Sequence, residues 1–357
     1  MYIDISSHDF MRIFEQKKFH LPIRWTGNDF KQTLEELFRN YRVELRNATK
    51  CMDYNGVDLL CESIILSIEK YFDGHPSKAF NIFSIAMDFL MTSQPKNYQI
   101  TDCEEFFSYK DDLLKLFRVR NVQQNISYLR SDIFHTPYNL RSKVAACRYS
   151  IAGYPSLYLG TSLELCLAEA KASSHSEISI ASRFDLARNK RHNVPAIKVI
   201  DLGVKPQDFL DINQEFYSNT VGRNVNTLKL NDKKVRSEYV SWYPLIAACS
   251  FMRVSKSDYF SAEYIIPQLL MQWIRSKYEE NEFFGIRYFS CASVKASEMG
   301  FNYVFPVSGK RYRENSQFCE ILTKSFILTA PKFIYEFQTV NDCENALIRE
   351  LDLNFIL

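Results

Sequence analysis

Glycine and proline are scarce in this sequence, with 10 Gly and 11 Pro among 357 residues. That composition excludes low-complexity and collagen-like architectures. The nine cysteines are scattered and no CxxC pair occurs, so neither a zinc ribbon nor a disulfide framework is predicted, and a reducing, cytoplasmic location is expected. The formal net charge of +2 is too small to indicate nucleic acid as a main partner.

Membrane-spanning segments and common nucleotide-binding motifs are also missing. The longest apolar segment, Ala79–Met91, is short and interrupted by polar residues, so no membrane partner is expected. The first ten residues carry two aspartates and a histidine, which does not fit a signal peptide. No Walker loop, GxGxxG, HExxH or GxSxG occurs, which leaves a P-loop ATPase, a Rossmann oxidoreductase, a zincin and an α/β-hydrolase without support. We expect no metal site.

The first part of the chain, residues 1–110, is predicted to be a mainly α-helical domain. Apolar residues recur at helical spacing in Asp29–Leu45, Val57–Phe72 and Ala79–Met91. Stripes of this kind usually form a core, so we assign them no chemistry and expect a regulatory or partner-binding role. The end of the chain, residues 336–357, is predicted to be a C-terminal tail.

Residues 111–335 have the pattern of a second domain that mixes strands and helices, so the fold class is α+β. Short apolar runs predict these strands: Leu116–Val119, Ser156–Leu159, Ala196–Leu202, Gly285–Ser290, Tyr303–Pro306, Phe318–Thr329 and Lys332–Phe337. The polar stretch Lys205–Ser237 is interpreted as a lid, an insertion or a loop-rich connection. A helix is predicted to begin at Pro267, with Glu263–Ile266 extended before it.

The stretch Arg148–Glu169 is the most informative part of the sequence. A turn leads to a strand that carries Tyr158, and Thr161 with Glu164 predicts a capping box at the start of the next helix. Glu169 lies among apolar neighbours on that helix, and a carboxylate is costly to bury without a partner. It is either a surface residue paired with a lysine, or part of a pocket with Arg148 and Tyr158 for a charged, ring-bearing ligand.

This stretch resembles the RES domain family, in which an Arg, a turn, a Tyr on a strand and a Glu on the next helix follow one another. The spacings from Arg148 to Tyr158 and from Tyr158 to Glu169 match the family. One departure is that Cys147-Arg148-Tyr149-Ser150 stands where Gly-Arg-Trp-Asn is more usual. The resemblance covers roughly Leu113–Pro306.

The resemblance implies a fold related to the ADP-ribosyltransferases, with a core of split mixed sheets and helices. It implies an enzyme that degrades NAD at the nicotinamide–ribose bond, by phosphorolysis with inorganic phosphate or by hydrolysis, with no prosthetic group. Arg148 would hold the phosphates of NAD with Arg118 as support, because Arg binds phosphate in a bidentate manner. Tyr158 would pack against the nicotinamide or its ribose, and Glu169 would stabilise positive charge at the sugar carbon.

Two further residues enter the expected site through the same resemblance. Ser290, with Ser293 as the fallback, would seat the pyrophosphate or the attacking phosphate, and Gln268 would lie near the pocket. His135 is interpreted as a structural histidine rather than a base.

Family behaviour also implies a toxin of a toxin–antitoxin pair or an effector of antiphage defence. An antitoxin or regulatory protein could bind the helical domain, and the chain could form a homo-oligomer. Two alternatives stay open: an ADP-ribosyltransferase that modifies a macromolecule, and a catalytically silent interaction module.

Overall fold

The computed structural model divides the chain into two compact units. The first comprises Met1–Ile100 and Val204–Lys277, and the second comprises Thr101–Gly203 and Tyr278–Leu357. The structure describes residues 3–27, 29–49, 54–93, 100–102, 115–123, 126–170, 178–187, 196–209, 233–255, 258–277, 282–307 and 317–354.

This division differs from the predicted domains in two places. Residues 204–277 lie within the predicted 111–335 domain, yet they form one compact body with the N-terminal helices. Residues 336–357, predicted to be a separate tail, lie in the second unit. Each unit is therefore built from two stretches of chain that are distant in sequence.

The first unit is helical. Its α-helices are α1 (Ser7–Phe14), α2 (Phe30–Ala48), α3 (Asn55–Phe72), α4 (Pro76–Ser93), α7 (Lys233–Ala248) and α8 (Ile265–Ser276). The three helices predicted between residues 29 and 91 are confirmed as α2, α3 and α4. Side-chain caps start two of these helices: Ser6 accepts from the N–H of Asp9 at α1, and Asp29 accepts from the N–H of Gln32 at α2.

Helix α7 lies in the middle of this unit, and every residue of it from Val235 onward is buried. Its aromatic side chains are tied to the rest of the unit, since Tyr243 donates to the carbonyl of Phe19 and Tyr239 donates to the carbonyl of Val204. The interpretation of Lys205–Ser237 as a lid, an insertion or a loop-rich connection is corrected at its C-terminal end, where residues 233–237 begin α7; near its start, Pro206–Phe209 forms a short 3₁₀ turn. Its central part, residues 210–232, lies outside the described residues.

The start of α8 also corrects a prediction. Glu263–Ile266 was expected to be extended, but Ala262–Tyr264 forms a 3₁₀ turn and α8 begins at Ile265. Pro267 sits in the first turn of the helix, where the backbone N–H has no intrahelical acceptor in any case.

The second unit is built on a mixed sheet of nine strands. They are β1 (Ile100–Asp102), β2 (Leu116–Asn121), β3 (Ser156–Gly160), β4 (Ser179–Leu186), β5 (Ala196–Leu202), β6 (Glu282–Phe289), β7 (Phe301–Pro306), β8 (Phe326–Leu328) and β9 (Lys332–Phe333). The order is β1-β5-β6-β7-β3-β2-β4-β8, with β9 on β4. Strands β5 and β6 run parallel, while β6, β7, β3, β2 and β4 are successively antiparallel.

Short helices complete this unit: α5 (Arg130–Ile133), α6 (Leu163–Ala170), α9 (Glu320–Ser325) and α10 (Val340–Arg349). The stretch Phe318–Thr329, predicted to be a strand, contains α9 before the short β8, and the predicted strand Lys332–Phe337 is extended only in β9. Helix α10 packs Cys343 and Leu347 into a buried cluster with α6 and β2. The α+β class is thus confirmed, whereas the expected ADP-ribosyltransferase-like core stays a prediction.

None of the helices within the described ranges combines the length and the apolar character needed to cross a lipid bilayer.

Candidate functional site

The turn that carries Arg148 is fastened to strand β3. Cys147 and Ser150 exchange backbone hydrogen bonds of 2.8 and 3.1 Å, which places Arg148 and Tyr149 at the corner of a tight turn. The hydroxyl of Ser150 lies 2.8 Å from the phenol oxygen of Tyr158 and donates to Ser156 at 2.9 Å. The turn and the tyrosine strand are therefore held together by hydroxyl groups as well as by the backbone.

The strand register puts Tyr158 on the same face of the sheet as two residues of neighbouring strands. Asn302 on β7 lies opposite Gly160 on β3 and also opposite Tyr288 on β6. Residues at i and i+2 of a strand share a face, so Tyr158 lies on the face of Gly160 and Asn302. Tyr158, Asn302 and Tyr288 thus belong to one surface of the sheet.

Helix α6 covers part of this surface because Gly160 leaves room for it. A Cβ atom at residue 160 would come within 2.7 Å of the Sγ atom of Cys166. Cys166 donates its thiol to the carbonyl of Phe117 on β2 at 3.2 Å. Burial raises the pKa of this thiol to about 12, so it stays protonated and packs as a small apolar group.

The start of α6 differs from the predicted capping box of Thr161 and Glu164. Ser162 is the side-chain cap, since its hydroxyl accepts from the N–H of Leu165 at 3.2 Å. Thr161 instead accepts from the N–H of Phe301 on β7 at 2.9 Å. Ser162 therefore caps the helix, and Thr161, the residue before it, connects to the neighbouring strand.

Glu169 lies in the last turn of α6 and is exposed. Its Oε1 atom accepts a hydrogen bond of 2.7 Å from the side-chain amide of the buried Asn302. Within the described residues it forms no ion pair, and its Oε2 atom has no hydrogen-bond partner. The surface Glu–Lys pair that the sequence left open is therefore not found in that part of the chain.

Tyr288 is a buried tyrosine near the expected pocket, and the charges of three expected site residues affect its pKa. Its ring is buried and lies 4.7 Å from that of Tyr149. Burial raises the pKa of its phenol well above the usual value, the charges of Glu169 and Tyr158 raise it further, and Arg148 lowers it. Tyr149, the neighbour of Arg148, packs against Tyr288, and Glu169 accepts from Asn302, which lies opposite Tyr288 in the sheet.

Arg118 is placed differently. Its neighbour Phe117 lies opposite Gly160, so by strand alternation Arg118 projects from the other face of the sheet. Burial, followed by the charge of Arg120, lowers the pKa of its guanidinium to about 10, which keeps it cationic at neutral pH. The buried Nη1 atom has no hydrogen-bond partner within the described residues, and Tyr158 interacts with it electrostatically.

Ser290 and Gln268 are the remaining residues of the expected site. Ser290 follows β6 and is fully buried, and its hydroxyl accepts from the N–H of Ala292 at 3.1 Å. Ser293, the fallback, accepts from the N–H of Ala296 at 3.0 Å. Gln268 lies on α8 in the helical unit, whereas the other expected site residues lie in the sheet unit.

His135 has a structural role, as the sequence analysis predicted. It is fully buried, its Nε2 atom accepts from the N–H of Cys319 at 2.9 Å, and its Nδ1 atom lies 2.9 Å from the carbonyl of Thr136. A neutral ring protonated on Nδ1 satisfies both contacts. Burial lowers the pKa of His135 to about 4, so it is neutral at physiological pH.

The cluster around Tyr288 offers a guanidinium, phenol rings and a carboxylate on one surface. Such a set can bind an anionic group, pack against a flat ring and stabilise a developing cation. Within the described ranges, no group of three His, Cys, Asp or Glu residues is arranged to hold a metal ion.

Sequence reasoning missed Asn302 and Tyr288. Asn302 is the one polar residue in the otherwise apolar strand FNYVFP, and all six positions of that strand are buried. A lone amide in such a strand is a signal, because a buried polar group needs a hydrogen-bond partner. Tyr288 has no comparable signal, since a tyrosine in a strand usually belongs to the core.

Comparison with known proteins supplies one relationship along most of the chain. The sequence is 27% identical over 344 residues to the protein named "Putative toxin YopC" from Bacillus subtilis (strain 168), and the alignment covers 92% of this chain and 72% of that protein. No protein-family model matches the sequence. No solved structure matches it.

Proposed function

We propose that this protein is a toxin that degrades NAD by cleaving the bond between nicotinamide and ribose. The observation that carries the proposal is the placement of two of the expected site residues around Tyr288: Glu169 accepts from Asn302, which lies opposite Tyr288 in the sheet, and Tyr149, the neighbour of Arg148, packs against the ring of Tyr288. The RES resemblance of the stretch that contains them and the name of the Bacillus subtilis relative support it. We propose that the protein cleaves NAD in the cytoplasm.

Each of the three side chains has a chemical task in this proposal. The guanidinium of Arg148 binds the pyrophosphate, because it can donate two parallel hydrogen bonds to phosphate oxygens. The ring of Tyr158 packs against the nicotinamide or its ribose. Glu169 presents its second carboxylate oxygen to the ribose, where positive charge develops as the bond to nicotinamide lengthens.

The reaction needs little acid catalysis, because nicotinamide leaves as a neutral molecule that takes the bonding electron pair. The ribose carbon then forms a bond to an oxygen of inorganic phosphate or of water. Phosphate gives ADP-ribose 1″-phosphate, whereas water gives ADP-ribose and releases a proton. Ser290 keeps its proposed role of seating the pyrophosphate or the attacking phosphate, because a hydroxyl that accepts from the N–H of Ala292 still has a hydrogen to donate.

The direct test follows nicotinamide release from NAD by the purified full chain, in phosphate buffer and in a phosphate-free buffer, with product masses recorded. We expect release in at least one buffer and a loss of about 100-fold or more in kcat for Glu169→Gln. Glu164→Gln, in the first turn of the same helix and also exposed, is the matched control and should keep full activity. No release in either buffer contradicts the proposal.

Two other outcomes have their own signatures. Radiolabel passing from NAD onto a protein or nucleic acid indicates an ADP-ribosyltransferase, and the absence of any heat on mixing with NAD indicates an interaction module.

In cells, induced expression of the wild-type protein should stop growth and lower the NAD concentration, and expression of the Glu169→Gln variant should do neither. A helical unit that binds an antitoxin, and a homo-oligomer, are further proposals that co-expression and light scattering test.

A further inference from the structure

Asn302 lies where it can control the orientation of the Glu169 carboxylate. It is 4% exposed and projects from β7 toward the last turn of α6, where its Nδ2 atom donates to Oε1 of Glu169 at 2.7 Å. The strand register fixes its backbone between Gly160 on one side and Tyr288 on the other. Both ends of the contact therefore rest on regular secondary structure rather than on loops.

The contact is unequal, because the amide is buried and the carboxylate is exposed. An exposed glutamate on a helix samples several rotamers unless a partner selects one, which costs side-chain entropy. The amide of Asn302 selects one rotamer and occupies a single oxygen, Oε1. It adds no positive charge that would neutralise the carboxylate.

We propose that Asn302 is a positioning residue that holds Glu169 so that its free oxygen, Oε2, faces the ribose carbon of NAD. This inference rests on the proposed function and adds to it a residue that acts only through Glu169. Hydrogen-bond partners that orient the ligands of metal sites are worth about 10–100-fold in affinity or activity, and we expect the same range here. The effect should fall on kcat, because the carboxylate acts on charge that develops in the transition state.

A double-mutant cycle separates positioning from general structural support. Asn302→Leu keeps the approximate volume and removes the donor; we expect kcat to fall about 10–100-fold with KM for NAD within about twofold. In the Glu169→Gln background the same substitution should have almost no further effect. Equal losses in both backgrounds, or full kcat in the single variant, overturn the role.

Phe305→Leu is the matched control on the same strand. Phe305 is buried and lies on the opposite face of β7 from Asn302, so its truncation weakens packing without reaching Glu169. It should lower the melting temperature and leave kcat close to that of the wild type. A kcat loss as large as that of Asn302→Leu would mean that damage to the strand explains both.

Asn302→Asp gives a second readout if the leucine variant does not fold. It has the size of asparagine and puts two carboxylates within hydrogen-bond distance, so that the pair retains a shared proton to higher pH. The acidic limb of the kcat profile should move to higher pH, and an unmoved limb overturns the role. If the wild type releases no nicotinamide, the proposed function is contradicted. If the wild type is active and the Asn302 variants have the same kcat, only the positioning role of Asn302 is contradicted.

Discussion

Glu344 in the C-terminal helix α10 accepts a hydrogen bond of 2.7 Å from the backbone N–H of Leu163, the first residue of α6. A segment at the far end of the chain thus satisfies one of the unpaired N–H groups at the start of the helix that carries Glu169. Arg183 on β4 holds the other end of α10, since it donates to the carbonyl of Leu347 at 2.8 Å. Helix α10 is therefore part of the support of the candidate site.

Removing the Glu344 contact should destabilise the sheet unit. Glu344→Ala leaves the N–H of Leu163 without its acceptor, and we expect a loss of about 1 kcal/mol in the free energy of unfolding. Glu344→Gln keeps an acceptor oxygen and should be close to the wild type or slightly more stable at neutral pH. Urea denaturation of the variants measures both.

The two Glu344 variants also predict a pH dependence. Burial raises the pKa of Glu344, and the hydrogen bond from Leu163 lowers it by less. A raised carboxyl pKa favours the folded state while the group is protonated, and this contribution is lost as pH rises through the folded pKa. The stability of the wild type relative to Glu344→Gln should therefore decline as pH rises, and a constant difference would contradict the assignment.

Gly160→Ala tests the close approach of α6 to the sheet. The new methyl group would meet the Sγ atom of Cys166, which overpacks the site and should cost about 1–3 kcal/mol. In a Cys166→Ala background the sulfur is absent, so the same substitution should cost much less. Thermal melts of the four proteins in this cycle provide the measurement, and equal costs in both backgrounds would show that another contact is responsible.

His135 should make stability depend on pH below neutrality. Its pKa is depressed from 6.5 to about 4 by burial, so the folded state binds a proton less readily than the unfolded chain. Stability is fully present above the unfolded pKa and is lost as pH falls toward the folded one, at up to about 1.4 kcal/mol per pH unit.

The measurement is chemical denaturation between pH 7 and pH 5, a range chosen because most carboxyl groups are still ionised there. His135→Gln should be less stable at pH 7 and should lose the slope in this range. His8→Gln, an exposed histidine near the N-terminus, should keep the slope of the wild type. A slope unchanged in His135→Gln would show that other groups cause it.

Local patterns in the sequence were sufficient to predict much of the fold. The strand Ala196–Leu202 and the helices α2, α3 and α4 follow from their apolar patterns; the helices bury one stripe of side chains each, and the strand buries Val199, Ile200 and Leu202. The expectation that Arg148, Tyr158 and Glu169 share a site came from the resemblance of one short stretch to the RES domain family. These features depend on residues that are close in sequence.

The features that the sequence did not predict depend on long-range contacts. One N–H group at the start of α6 is capped by Glu344, which is 181 residues beyond Leu163 and could not be found from the local pattern, whereas the local cap is Ser162 instead of the predicted Thr161. The assignment of α7 to the helical unit depends on packing against helices near the N-terminus. Asn302 became part of the site only through the register of β3, β7 and β6.

Because each unit is built from two distant stretches of chain, the residues of the candidate site are translated at different times. Glu169 precedes its partner Asn302 by 133 residues, so a growing chain contains the carboxylate long before the amide that orients it. A protein interrupted before residue 302 is expected to release no nicotinamide in the assay above. Under the proposed function, the NAD of the cell would meet the oriented carboxylate only after residue 302 has been added to the chain.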